Sequence, residues 1–272
     1  MNPLISEFSY GYALTEELAA GNRGALRGAP VFPSLIDEGN RGGYDVQLPF
    51  VGSPLFLQFK LSHYLRRSSA KEWPHWGAPY YRMYLRPLRH SRQHNLLLGL
   101  ESQGNEVYYA TAMFHTAAEL NAAYAGRQVV QSSAFFRPHD IGPLPDAEQH
   151  YVVFHPQQST AYLHSNEGHP IEMVKGTIWQ EKILFAADQR VDDLTETFFR
   201  ELLDRIRKAM AEELPTWERR EEVLSEQFTG RERAGLAAYI SYLVRTYFDA
   251  QFFLVTSSDE HGRSRRRPEP SG

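Results

Sequence analysis

Three side chains early in the chain have the types and spacing for hydrolytic chemistry at phosphate: Asp45 in Tyr44-Asp45-Val46, and Gln58 and Lys60 in Leu57-Gln58-Phe59-Lys60. Aspartate is disfavoured in strands, so its place in a strand-like run needs a reason. A carboxylate and an amide oxygen are donors that hard cations such as Mg²⁺ accept, alongside water and substrate phosphate. A lysine beside such an ion can orient or activate the attacking water, while the metal lowers that water's pKa and stabilises charge on phosphate. The chemistry this implies is phosphodiester hydrolysis.

Positioning these groups requires strands. Residues 55–62 alternate, with Leu55, Leu57, Phe59 and Leu61 on one face and Phe56, Gln58, Lys60 and Ser62 on the other. The apolar runs 44–50 and 55–61 are separated by Gly52, Ser53 and Pro54, which reads as a β-hairpin bringing Asp45 to Gln58 and Lys60. Upstream, Ile5, Phe8 and Tyr12 recur at helical spacing within 3–20, where Gly21 and Gly24 supply a stop. Downstream, 62–87 reads as irregular, 91–102 as a helix with Leu96, Leu97 and Leu100 on one face, and 107–114 as a strand. A helix over 116–125 and strands over 129–136, 150–155 and 160–164 follow. This alternation predicts a mixed α/β sheet.

Gly43-Tyr44-Asp45-Val46 followed by Leu57-Gln58-Phe59-Lys60 resembles the active-site signature of the PD-(D/E)xK nuclease superfamily, in the variant where glutamine replaces the second acid. The order helix, strand with Asp45, strand with Gln58 and Lys60, helix, strand over about 1–115 is similar too. The resemblance implies a restriction-endonuclease-like central sheet flanked by helices, Mg²⁺ or Mn²⁺ as cofactor, Asp45 and Gln58 as metal ligands and Lys60 acting on the water. It also implies a further ligand from the first helix, for which Glu7 and Glu17 are the candidates. No proline directly precedes Asp45, and no clear strand lies between the first helix and Asp45. The competing reading puts Gln58 and Lys60 on the solvent face of an amphipathic strand, with Asp45 closing a turn.

A basic, aromatic stretch follows. Between Lys60 and His94 lie Arg66, Arg67, Lys71, Arg82, Arg86, Arg89 and Arg92, against one acid, Glu72. Tyr64, Trp73, Trp76, Tyr80, Tyr81 and Tyr84 are interleaved with them, the combination expected where a protein tracks a phosphate backbone. Arg82, Arg86, Arg89 and Arg92 are therefore the candidate nucleic-acid contacts, the alternative being a solvated basic loop with aromatic anchors in the core.

Beyond residue 177 nearly everything is compatible with helix up to 256, with Asp192–Asp193 and Thr229–Gly230 as start signals and Pro215 as a break. Phe198, Leu202 and Ile206 should bury together with Leu236, Ile240, Leu243 and Tyr247. The expected organisation is a nuclease-like core over 1–140, a β extension over 141–176, a helical lobe over 177–256 and a disordered basic tail over 257–272. Cysteine is absent, which excludes disulfides, thiolate zinc sites and cysteine nucleophiles and suits a reducing cytoplasm. The apolar run 236–255 holds Arg245 and Asp249, charges expensive at mid-bilayer, so no membrane association is expected. Neither paired metal-binding histidines nor a nucleotide-binding glycine motif occurs. The expectation is a cytoplasmic, metal-dependent nuclease acting on DNA, as in restriction or defence against foreign DNA. The rival is a noncatalytic nucleic-acid-binding or assembly subunit with the same fold. The helical lobe is the candidate surface for a homo-oligomer or protein partner.

Overall fold

A computed structural model of the chain describes residues 1–20, 51–144, 149–164, 168–189, 192–214 and 233–255. The class is mixed α/β, with two sheets and eight helices among these residues. The main sheet is organised around β1 (Val51–Lys60), which pairs in parallel with β4 (Glu106–Ala112) and antiparallel with β10 (Asp192–Asp193) and β11 (Gln251–Val255). Beyond β4 come β5 (Ser133–Phe136) and β9 (Val174–Lys175). The second sheet is antiparallel throughout, in the order β2 (Ser62–Leu65), β3 (Tyr80–Leu85), β6 (His150–Phe154), β7 (Thr160–His164) and β8 (Gly168–Glu172).

The alternation along β1 sorts its side chains between two cores. Leu55 and Leu57 join Tyr10, Leu14 and Leu18 of α1 (Glu7–Ala20) and Trp179 and Ile183 of α6 (Gly176–Gln189). Phe56 points the other way. There it meets Leu96, Leu97 and Leu100 of α3 (Gln93–Ser102), the inner face of the second sheet, and the helices α7 (Glu196–Glu213) and α8 (Arg233–Leu243). Helix α7 is amphipathic: Phe198, Leu202 and Ile206 bury at helical spacing, and Thr195 caps the first turn by accepting from the Phe198 N–H at 3.2 Å. The expected burial of these residues with Leu236, Ile240 and Leu243 is observed, with Tyr247 packed against the same core. The smaller helices are α2 (Trp73–Trp76), α4 (Ala117–Ala125), which starts with a capping box from Thr116 and Glu119, and α5 (Pro138–Ile141).

Four expectations are corrected. Gly52, Ser53 and Pro54 do not turn the chain; they continue β1, paired with Asp192, Val255 and Leu254. Proline is tolerated there because β4 joins only from Leu55 onward, leaving one edge of Pro54 unbonded. Both edges of Leu55–Leu57 are taken, by β4 and β11, so the antiparallel neighbour of β1 along these residues comes from the C-terminal part of the chain. The stretch 62–87 is not irregular, since it supplies β2, α2 and β3. Nor is the C-terminal region all helix: Asp192–Asp193 forms a short strand, and after α8 and a turn of π-helix (Val244–Phe248) the chain re-enters the sheet as β11. On α1 the periodicity marks the open side, because Phe8 is 74% and Tyr12 61% exposed while Tyr10, Ala13, Leu14 and Leu18 are buried. Gly11 lets this helix approach the sheet; a Cβ there would lie 2.6 Å from the Phe59 ring. Among the described residues no helix is long and apolar enough to cross a membrane.

Candidate active site around Lys60

Gln58 and Lys60 sit on the face of β1 that looks toward α3 and the second sheet. In register, Gln58 lies beside Tyr109 of β4 and Lys60 beside Thr111. Two consecutive residues of α3 meet this pair of rows. His94 is buried and makes two hydrogen bonds of 2.8 Å, one between Nδ1 and the Tyr109 hydroxyl and one between Nε2 and the Gly142 carbonyl. Burial pushes its pKa down to about 4, the bond to Gly142 opposing and His150 adding to the effect. In the resulting neutral imidazole, Nε2–H donates to Gly142 and Nδ1 accepts from Tyr109. Tyr109 is itself raised well above the usual phenol range by burial.

Gln93 serves Lys60. The Lys60 ammonium donates to Gln93 Oε1 at 3.1 Å, and Gln93 Nε2 donates to the Asp249 carboxylate at 2.8 Å and to the Phe248 carbonyl at 3.3 Å. Lys60 is only 9% exposed. Burial pulls its pKa below the usual lysine value, while the carboxylates of Glu7 and Asp249 hold charge on it and Arg86 works against them. Glu7 arrives from the first turn of α1 and Asp249 from the end of the π-helical turn. Asp249 adopts a left-handed backbone (φ 51°), a conformation that non-glycine residues rarely hold and that tends to mark constrained functional positions.

Gln58 is fully buried, and neither its amide oxygen nor its amide nitrogen has a hydrogen-bond partner among the described residues. Leaving such a group unmatched costs about 1–3 kcal/mol. It stands two residues before Lys60 on the same strand face, so an unmatched amide neighbours the lysine on which the two carboxylates act. Glu7 and Asp249 also line a pocket of about 480 Å³, together with Phe8, Tyr12, Phe59 and Gln251.

No protein-family model, curated protein or solved structure matches this chain.

Among the residues singled out by sequence, Gln58 and Lys60 share a face of β1, and Glu7 acts on Lys60 through its charge. Asp45 lies outside the described residues, as do the run 44–50 and the tail 257–272. Glu17 is engaged elsewhere: its carboxylate accepts from the backbone N–H groups of Val129 (2.7 Å) and Val130 (3.2 Å), tying α1 to the segment before β5. Of the two first-helix acids, Glu7 is thus the one that faces the lysine. Among the described residues no group of three His, Asp or Glu side chains is disposed to hold a metal by itself.

The four arginines have different fates. Arg82 is paired with Glu72, whose carboxylate also accepts from the Tyr80 hydroxyl at 2.7 Å. Arg92 pairs with Glu213 at 3.2 Å. Arg86 and Arg89 are exposed, Arg89 donating to the His90 ring at 3.1 Å. Gln93 and Asp249 were not legible as site residues. Gln93 carries no motif, and Asp249 stands out in sequence only as a charge within an apolar run.

Proposed function

We propose that this chain is a divalent-metal-dependent nuclease, with Lys60, Gln58, Glu7 and Asp249 as its working groups and DNA as its substrate. One observation carries the reading: Lys60 is buried with a lowered pKa, linked through Gln93 to Asp249, in the field of Glu7, and beside a buried glutamine that has no hydrogen-bond partner among the described residues. The donors fit Mg²⁺ or Mn²⁺, because Glu7, Asp249 and the unmatched Gln58 amide offer oxygens only. Asp45 is the further carboxylate expected from the sequence. The bound ion supplies a lowered pKa for a coordinated water and stabilisation of charge on phosphate.

The chain's own residues orient and exclude. Lys60 is held by Gln93 so that its remaining N–H groups point into the corner, where they hydrogen-bond the attacking water or a phosphate oxygen. Its pKa, lowered by burial, makes the ammonium a readier proton donor than a solvated lysine. Gln58 fixes one oxygen without adding charge.

The test is cleavage of linear, circular and single-stranded DNA and of RNA with Mg²⁺, with Mn²⁺ and with chelator. Metal-dependent cleavage that is lost on Lys60→Met is the expected result. Binding to nucleic acid with no cleavage by the wild type under any of these conditions would instead favour the noncatalytic subunit.

A further inference from the structure

The outer face of the second sheet takes no part in the corner around Lys60. Its strands alternate, so Tyr81, Met83, Val152, Phe154, Ala161 and Leu163 turn into the core. The other parity presents Arg82, Tyr84, Tyr151, Tyr162 and His164. In register, Tyr84 lies opposite Tyr151 and Tyr151 opposite His164, forming a row across β3, β6 and β7. The Tyr84 and Tyr151 rings are 5.5 Å apart, and the Arg82 guanidinium lies 5.1 Å over the Tyr151 ring. At the far end, α2 lays Trp76 near Tyr162, with ring centroids 5.8 Å apart. Tyr84 is 37% exposed, and Tyr151, Tyr162 and Trp76 are half-buried, so ring surface remains open to a ligand.

Charge narrows the ligand. Of the five strands only β8 carries an acid, Glu172 at its end, and that carboxylate is paired with Lys182 at 2.8 Å; β2, β3, β6 and β7 hold no Asp or Glu. The loop between β2 and β3 holds Arg66, Arg67 and Lys71, all exposed, and its one acid, Glu72, is buried and paired with Arg82. This face is therefore cationic in a chain whose net charge is −4. A polyanion carrying flat rings is complementary to it. Unpaired bases can stack on tyrosines while their phosphates meet arginines, whereas a duplex keeps its base faces hidden. The face also leads to the first site: Arg86, two residues after Tyr84, is close enough to Lys60 for its charge to lower the lysine's pKa.

We propose that this outer face binds single-stranded nucleic acid, with Tyr84 and Tyr151 stacking on bases and Arg66, Arg67 and Arg86 contacting phosphates. The inference shares with the nuclease reading the premise that the chain acts on nucleic acid, but it rests on different residues. The test is fluorescence anisotropy in chelator, so that no cleavage occurs, with labelled oligothymidylate, oligouridylate and a duplex of the same length.

The wild type should prefer the single strands, the first two probes separating DNA from RNA. Tyr84→Ala and Tyr151→Ala should each weaken binding by about tenfold, while Tyr84→Phe stays near wild type. Arg66→Gln with Arg67→Gln should flatten the salt dependence. Tighter binding to the duplex, or unchanged affinity in a Tyr84→Ala variant that melts like the wild type, would overturn the proposal. If the wild type binds single strands through these tyrosines but cuts nothing with metal, this inference stands and the nuclease reading falls. Metal-dependent cleavage with an unchanged KM in the double tyrosine variant gives the reverse.

Discussion

Lys60 and Arg82 are both basic residues drawn out of water, yet their surroundings treat them oppositely. Arg82 touches Glu72 directly, and Glu72 also accepts from Tyr80. Burial lowers the Arg82 pKa, but the bond and charge of Glu72 outweigh it, so the net shift is upward. Glu72 mirrors this: burial would raise its pKa, yet the bonds from Tyr80 and Arg82 bring it down. That corner is closed, with each partner satisfying the other. Lys60 has an amide where Arg82 has a carboxylate, its net pKa shift is downward, and a fully buried Gln58 beside it lacks a partner among the described residues. A matched pair holds a fold together, whereas unmatched polar capacity next to two carboxylates is what a substrate or cation can complete.

The largest effect that sharpens this contrast should come from removing the carboxylates facing Lys60. The double variant Glu7→Gln, Asp249→Asn should lose about a thousandfold in metal-dependent cleavage, corresponding to several kcal/mol of metal-derived stabilisation, and single-turnover kinetics reads it. Full activity in that variant would place the chemistry elsewhere.

His94 belongs with the matched groups, and its signature is acid sensitivity. Its folded pKa of about 4 lies below its ordinary 6.5, so between these values the unfolded chain binds the extra proton. Stability from this residue is complete above about pH 6.5 and is lost as the pH falls toward 4, by about 3 kcal/mol. Denaturant titrations from pH 7 to pH 4 should show this slope reduced in His94→Gln. An identical slope in the variant would mean that other groups dominate acid unfolding.

Removing the arginine of the closed corner should cost stability. Arg82→Met leaves the buried Glu72 carboxylate without its cationic partner and should lower stability by about 2 kcal/mol, discounted because Arg82 is 21% exposed. A melting temperature equal to the wild type's would remove the contrast. The smallest effect has the opposite sign. Gln58→Leu should stabilise the fold by about 1 kcal/mol, because an unmatched amide is replaced by an apolar group of similar size, and it should reduce cleavage at the same time. A destabilised Gln58→Leu would show that the amide is already satisfied.

Much of this frame can be read from the sequence where local pattern decides it. The two-face alternation of β1, the leucine face of α3 and the helix over 116–125 are all local. Features that depend on distant partners were not legible. Gln251–Val255 continues an apolar run that begins in α8, and only pairing with β1 makes it a strand. Gly52-Ser53-Pro54 has turn composition, but β11 and β10 hold it extended. β2 and β3 are set by pairing with each other and with β6 across a long separation. In the site, the strand pair Gln58 and Lys60 carried a visible signal. Asp249 did not, since its role depends on a left-handed residue after a π-helical turn that faces Gln93 from 156 residues away.

The most direct measurement is the metal-dependent cleavage rate per folded molecule of Lys60→Met and Arg82→Met, taken side by side with their melting temperatures. Lys60→Met should melt at or above the wild-type temperature and lose about 10²- to 10⁴-fold in rate. Arg82→Met should melt lower and cut at the wild-type rate once corrected for the folded fraction. The opposite pattern, with Lys60→Met cutting normally and Arg82→Met folded but inactive, would contradict the assignment of Lys60 as the working residue.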